Sequence, residues 1–303
     1  MARLVYLGTP EAAVAPLRAL VGAGHEVALV VTRPDKRRGR GSQLVPSPVK
    51  AAAVELGLPV SATLEDALDV GAELGVVVAY GRIIPVAVLH RLPMVNVHFS
   101  LLPRWRGAAP VERAILEGDA ETGVCLMAVE AGLDTGGIHA EATTTVGDEE
   151  TADALRSRLV EIGCGLLLEY LREGRAGLPP ARDQAGTPSY AEKIRPAELE
   201  LDWRQPAIQL RRVIRLGRAW TTFRGRRLRI LEATGPVNAT APGGPAAPEG
   251  TGAAPGRLDG VEVTAGNGTR LRLVTVQPEG RRPMAAPDWL HGVRPGPGDT
   301  LGT

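Results

Sequence analysis

Three short runs built almost wholly from apolar residues, at positions 4–7, 27–31 and 74–79, constrain this chain more than any other feature. An amphipathic helix is apolar on one face and a half-exposed strand at alternate positions, so a run apolar throughout fits a strand covered on both sides. Helical spacing separates the first two runs and ends at Gly22 and Gly24. Strand, helix, strand predicts a parallel sheet with a right-handed crossover.

The pattern continues along the chain. Helices are expected at 47–57, from the Ser47 cap to Gly57, at 64–70, from Pro85, at 110–118 and at 151–174. Strands are expected at 58–60, from Met94 and at 122–129. The fold class is therefore α/β, an open parallel sheet of Rossmann-like shape, with ligands beyond the carboxyl ends of its strands. Tyr80, His98 and the residues after Val129 are expected at such ends. The turn after the first strand lacks the GxGxxG fingerprint, which argues against a bound dinucleotide.

The strand from Met94 leads into VNVHFSLLPRWRGAAP, residues 95–110. Alternation sets Met94, Asn96, His98 and Ser100 on one face and Val95, Val97 and Phe99 on the other. Asn96 and His98 read either as an oxyanion-stabilising, proton-moving pair or as a strand-end cap and a satisfied core histidine. Downstream, Asp134 sits in EAGLDTGG, where glycines allow close approach or positive φ and an aspartate is commonly a turn-former.

Net charge is only +1, so affinity for polyanions must be local. One candidate is the segment after Thr32, where Arg33, Lys36, Arg37, Arg38 and Arg40 oppose Asp35, and where prolines and glycines predict a long exposed loop. It is either a solvated surface loop or an arm for phosphates. A second is the run from Arg211 to Arg229, with eight arginines, no acid, and Trp220 and Phe223 interleaved. It suits a nucleic-acid surface, or reflects a genome that fixes arginine wherever a cation is tolerated. Around it a helix at 207–216 and short strand-like runs at 227–231, 261–264 and 271–276 predict a small antiparallel barrel. The expected domains are residues 1–178, a linker at 179–205 and the barrel at 206–303, with a mobile Gly/Pro/Ala-rich loop at 235–256.

No Walker loop, GxSxG elbow, HExxH or paired-cysteine pattern occurs, so an NTPase, a serine hydrolase and a zinc enzyme are disfavoured and no metal is expected. With two isolated cysteines, no leader and no apolar stretch long enough to span a bilayer, the expectation is a cytoplasmic protein.

NVHFSLLPRWRGAAP, followed by GDAETGV and AGLDTGG, strongly resembles the formyltransferases that use 10-formyltetrahydrofolate. LGTPEAAV, TRPDKRRGRG with VPSPVK, VVVAYGRIIP and SYAEKI extend the resemblance over residues 3 to 205. It is closest to the branch whose acceptor is initiator methionyl-tRNA. The resemblance implies a Rossmann-like transferase domain and a C-terminal domain of OB type. It makes Asn96, His98 and Asp134 the catalytic residues, with Ser100, Leu101, Leu102, Pro103, Tyr80, Gly81 and Ile83 on the folate. Lys36, Arg37, Arg38, Arg40, Arg212 and Arg215 are expected to meet the tRNA. Phe99 departs from it, standing where a small residue is implied, and would reshape the pocket. The expected protein is a monomer. Two alternatives are a formyltransferase acting on an amino sugar or small ribotide, which needs no cationic arm, and a non-catalytic RNA-binding protein, which needs no Asn96, His98 and Asp134.

Overall fold

The computed structural model describes residues 1–37, 44–173, 181–236 and 254–303, so Arg38, Arg40 and most of the expected 235–256 loop lie outside the described residues. The chain divides into two compact units. The first comprises Met1–Arg113, Ala120–Val146 and Ala154–Lys193, the second Ala114–Asp119, Gly147–Asp153 and Ile194–Thr303.

In chain order the first unit contains β1 (Arg3–Gly8), α1 (Val14–Gly22), β2 (Glu26–Val31), β3 (Lys36–Arg37), β4 (Leu44–Val45), α2 (Pro48–Glu55), β5 (Val60–Ser61), β6 (Leu74–Val78), α3 (Val86–Leu89) and β7 (Met94–His98). It continues with β8 (Arg106–Gly107), α4 (Pro110–Glu117), β9 (Glu121–Ala128), β10 (Ile138–Thr145), α5 (Ala152–Glu173) and β11 (Tyr190–Ala191), the ends of α4 and α5 passing into the second unit. The sheet order is β10-β9-β7-β6-β1-β2-β5. The five strands from β7 to β5 are parallel, as the apolar runs require, and every residue of β6 is buried. One face carries Val5, Leu7, Leu29, Val31, Val77 and Met94, covered by Ile84, Val88 and Leu92. On the other, α5 comes so close that a Cβ on Gly163 would lie 2.9 Å from Val97.

Two departures from the expected pattern matter. First, β9 runs antiparallel to β7, pairing Val95 with Ala128 and His98 with Cys125. The end of β9 therefore lies beside Met94, at the amino end of β7 rather than with the carboxyl ends, and β10 returns antiparallel beside it. Secondly, the described residues on either side of 38–43 are paired as the stem of a hairpin rather than lying free. Lys36 pairs with Val45 and Arg37 with Leu44. At its base Thr32 and Ser47 share a buried 2.8 Å hydrogen bond, and the Lys50 ammonium donates to both oxygens of Asp35 at 2.8 and 2.9 Å. Ser47 also caps α2 by accepting from the Lys50 amide, a contact of about 1 kcal/mol. The helix expected at 64–70 is a single 3₁₀ turn, Glu65–Leu68, since so short a segment gains little from α-helical propagation.

The second unit holds α6 (Ala207–Ile214), β12 (Trp220–Phe223), β13 (Arg226–Thr234), β14 (Leu258–Asp259), β15 (Glu262–Thr264), β16 (Arg270–Pro278), β17 (Met284–Ala285) and α7 (Ala286–Val293). Its sheet runs β12-β13-β16-β15-β14, with β17 also on β16, and every pairing is antiparallel. The two edges are joined by the C-terminal segment, where Leu301 bridges Phe223 and Thr300 bridges Arg257. That closure gives the barrel character the sequence predicted. Trp203, Phe223, Leu228, Ile230, Leu271, Val276 and Trp289 are in its core.

Candidate active site

His98 ends β7 on the face where alternation placed it, and only 6% of its side chain is exposed. Its Nε2 lies 2.9 Å from the backbone carbonyl of Trp105. A carbonyl only accepts, so Nε2 carries the hydrogen and Nδ1 is left to the site. Trp105 presents that carbonyl from a left-handed conformation, φ +62°, unusual for a bulky residue and stabilised by the loop around it. Its amide donates to Ser189 Oγ at 3.0 Å, and Ser100 Oγ donates to the Arg104 carbonyl at 2.6 Å.

Asp134 arrives from the loop that starts at the far end of β7 and folds back over the sheet. One carboxylate oxygen accepts from the Gly107 amide at 2.7 Å and lies 3.7 Å from His98 Nδ1. That separation exceeds a direct hydrogen bond and leaves room for a water or a substrate atom to intervene. The left-handed residue of this loop is Asp134 itself, φ +50°, whereas Gly136 is required for close approach, because a Cβ there would fall 2.0 Å from the Ala128 carbonyl. Gly107, φ +121°, is obligatory for both reasons: its Cβ would meet the Ala191 carbonyl at 2.9 Å.

Asn96 shares the His98 face, half-buried, and its amide has no hydrogen-bond partner among the described residues. A half-exposed amide free to donate and accept beside a fixed imidazole fits a carbonyl-bearing ligand. Of the expected folate residues, Ser100 and Leu102 are buried, the latter packed with Cys125, Met127 and Ile138, and Leu101 lies over Gly123. Pro103 is half-exposed. The Tyr80 ring belongs to the core, leaving a ligand at most the adjoining backbone, while Gly81 and Ile83 are exposed. Phe99 points away from this face towards Gly163, so it leaves the pocket shape alone. Burial pushes the Cys125 thiol up to about 11, which makes it packing rather than a nucleophile.

Composition gave no notice of residues 182–191, assigned to a linker. They clamp the site: Ser189 and Tyr190–Ala191 bind the loop after His98, and Gln184 joins that loop to the Asp134 loop. Lys36 and Arg37 are exposed on the hairpin. Arg215 is turned inward, donating to the Gly147 and Glu150 carbonyls, with burial and Arg211 lowering its pKa, and Arg212 is half-buried against Gly118. The exposed cations of the 211–229 run are instead Arg218, Arg224, Arg226 and Arg227, the last stacked 4.4 Å over Trp220.

Family models match almost end to end: formyl transferase over residues 2–171 and formyl transferase, C-terminal domain, over 193–294. The methionyl-tRNA formyltransferase of Paracoccus denitrificans is 43% identical over 306 residues, covering 96% of this chain and 97% of its own. That of Stenotrophomonas maltophilia is 45% identical, covering 96% and 98%. The chain belongs to the methionyl-tRNA formyltransferase family. Among solved structures, an N-formyltransferase from Helicobacter canadensis with folinic acid and dTDP-3-aminofucose shares the fold at 18% identity, TM-score 0.68, over 90% of this chain and 99% of that one. HypX from Aquifex aeolicus with tetrahydrofolic acid matches at 15% identity and TM-score 0.65, over 97% of this chain, which spans 48% of the HypX chain. Asn96, His98 and Asp134 thus set an amide, an imidazole and a carboxylate around one end of β7. Among the described residues no cluster of three or more His, Cys, Asp or Glu could hold a metal.

Proposed function

We infer that this protein transfers the formyl group of 10-formyltetrahydrofolate to the α-amino group of methionyl-initiator tRNA, giving N-formylmethionyl-tRNA for translation initiation. The observation that carries the chemistry is His98, held through Nε2 by Trp105 with Nδ1 open towards Asp134, beside the unpaired amide of Asn96. The folate supplies an activated formyl carbon. An α-amine titrates at about 7.7–8.0 in model compounds, so a reactive neutral fraction exists at physiological pH without a strong base. As the amine adds, charge gathers on the formyl oxygen. Asn96 donates to that oxygen, and protonated His98 can donate to it only from Nδ1. Asp134 orients the ring and takes the amine proton, directly or through water, and as the oxyanion collapses the new carbon–nitrogen bond replaces the one to folate N10, which leaves with that proton as tetrahydrofolate.

The first unit binds folate and carries out the transfer, while Lys36, Arg37 and, in the second, Arg218, Arg226 and Arg227 meet tRNA phosphates. The same reading puts the protein in the cytoplasm with its tRNA acceptor, and we propose that it acts as a monomer. Among the described residues no helix is long and apolar enough to cross a membrane.

The deciding experiment is a formyl-transfer assay offering charged initiator methionyl-tRNA beside an amino-sugar nucleotide and a small ribotide amine. Product on the tRNA is expected, and product only on a small amine overturns the reading.

A further inference from the structure

Gln184 is half-buried and joins three segments. Its Nε2 donates to the backbone carbonyls of Asp134 and Gly136, both at 2.8 Å. Its Oε1 accepts from Arg106 Nε at 3.1 Å and Nη2 at 2.7 Å. The amide can sit only this way round, because a guanidinium only donates and a carbonyl only accepts. Both carbonyls belong to the loop that carries Asp134 in its left-handed conformation, and Arg106 lies between Trp105, which anchors His98, and Gly107, which anchors Asp134. The Gln184 side chain thus ties the backbone behind the imidazole to the backbone behind the carboxylate.

We propose that Gln184 is a positioning residue for formyl transfer, setting the His98–Asp134 separation by locking the Asp134 loop to Arg106; this rests on the catalytic roles given above to those two residues. Without the two donors, Asp134 itself keeps, among the described residues, only the Gly107 contact to its carboxylate, and small displacements of reacting groups are costly in rate.

The test uses the full-length protein with Gln184→Met, which keeps volume and removes all four contacts, and Gln184→Glu, which keeps the Arg106 acceptor and removes both donors. Both are expected to lower kcat about tenfold with KM for tRNA and folate within about twofold. On an Asp134→Asn background, Gln184→Met is expected to change kcat less than about twofold, because the two act as one unit. Hydrogen exchange gives a readout independent of turnover: the Gly107 amide is expected to exchange about tenfold faster in both variants, with β1 amides unchanged. Parent-like kcat in either variant, additive losses in the double variant, or unchanged Gly107 exchange overturns the proposal. Should the parent not formylate methionyl-tRNA, the functional reading fails by itself, and Gly107 exchange still decides whether Gln184 holds the loop.

Discussion

At His98 the Nε2 hydrogen already has an acceptor, so any catalytic donation falls to one atom, Nδ1. His98→Ala is therefore expected to lower kcat about a hundredfold, roughly 3 kcal/mol, with little change in KM, as loss of one oxyanion donor does elsewhere. Single-turnover formylation measures this, and near-parent turnover would remove His98 from the mechanism. Gly107 answers to a different constraint. Gly107→Ala places a Cβ against the Ala191 carbonyl in a conformation alanine resists, so we expect destabilisation of about 1–3 kcal/mol in urea melts, together with loss of activity through the Asp134 contact. The His98 side of the site was legible in the sequence because strand alternation dictates which side chains share a face. From pattern alone Asp134 was legible as a turn aspartate, and only the family resemblance set it beside His98. Its approach depends on β9 running antiparallel and its loop folding back, and neither leaves a local signature.

Among the elements, the parallel strands announced themselves through unbroken apolar runs. β10 did not: IHAEATTT is polar and half-exposed along an edge, so burial imposes no pattern on it. β11 and the segment before it read as linker because proline and polarity hide two residues that pair with β8. The arginine-rich run read as one surface, yet its members divide. Arg211 and Arg215 hold the 147–150 loop, and Arg224 secures the closing segment of the barrel by an ion pair of 2.5 Å to Asp299 and by donating to the Val293 and Arg294 carbonyls. Arg224 first, then the Gly296 amide, hold the Asp299 carboxyl down to about 2, below its ordinary value of 3.8. A carboxyl depressed in the folded state stabilises it above the unfolded pKa and loses that contribution as pH falls through the folded one. Asp299→Asn is thus expected to lower the urea midpoint at about pH 6 and to converge on the parent between about pH 4 and pH 2. A gap independent of pH would show that the side chain acts by packing alone.

Over the whole molecule 35 basic residues nearly balance 34 acidic ones, so no long-range field draws in a polyanion. Attraction must come from where the fold leaves cations uncompensated. Asp35 cannot neutralise the hairpin, because its carboxylate is already taken by Lys50, while Lys36 and Arg37 stand exposed. Each phosphate contact releases about 0.9 counterion on duplex nucleic acid and about 0.7 on a single strand. Lys36→Ala with Arg37→Ala is therefore expected to reduce the slope of log affinity for methionyl-tRNA against log salt by about 1.4–1.8. The KM for the formyl donor and the rate on saturating tRNA at low salt should stay within about twofold, since the hairpin supplies position and no reacting group. An unchanged salt slope would mean that these two cations face solvent in the complex, and that tRNA reaches the first unit without the hairpin.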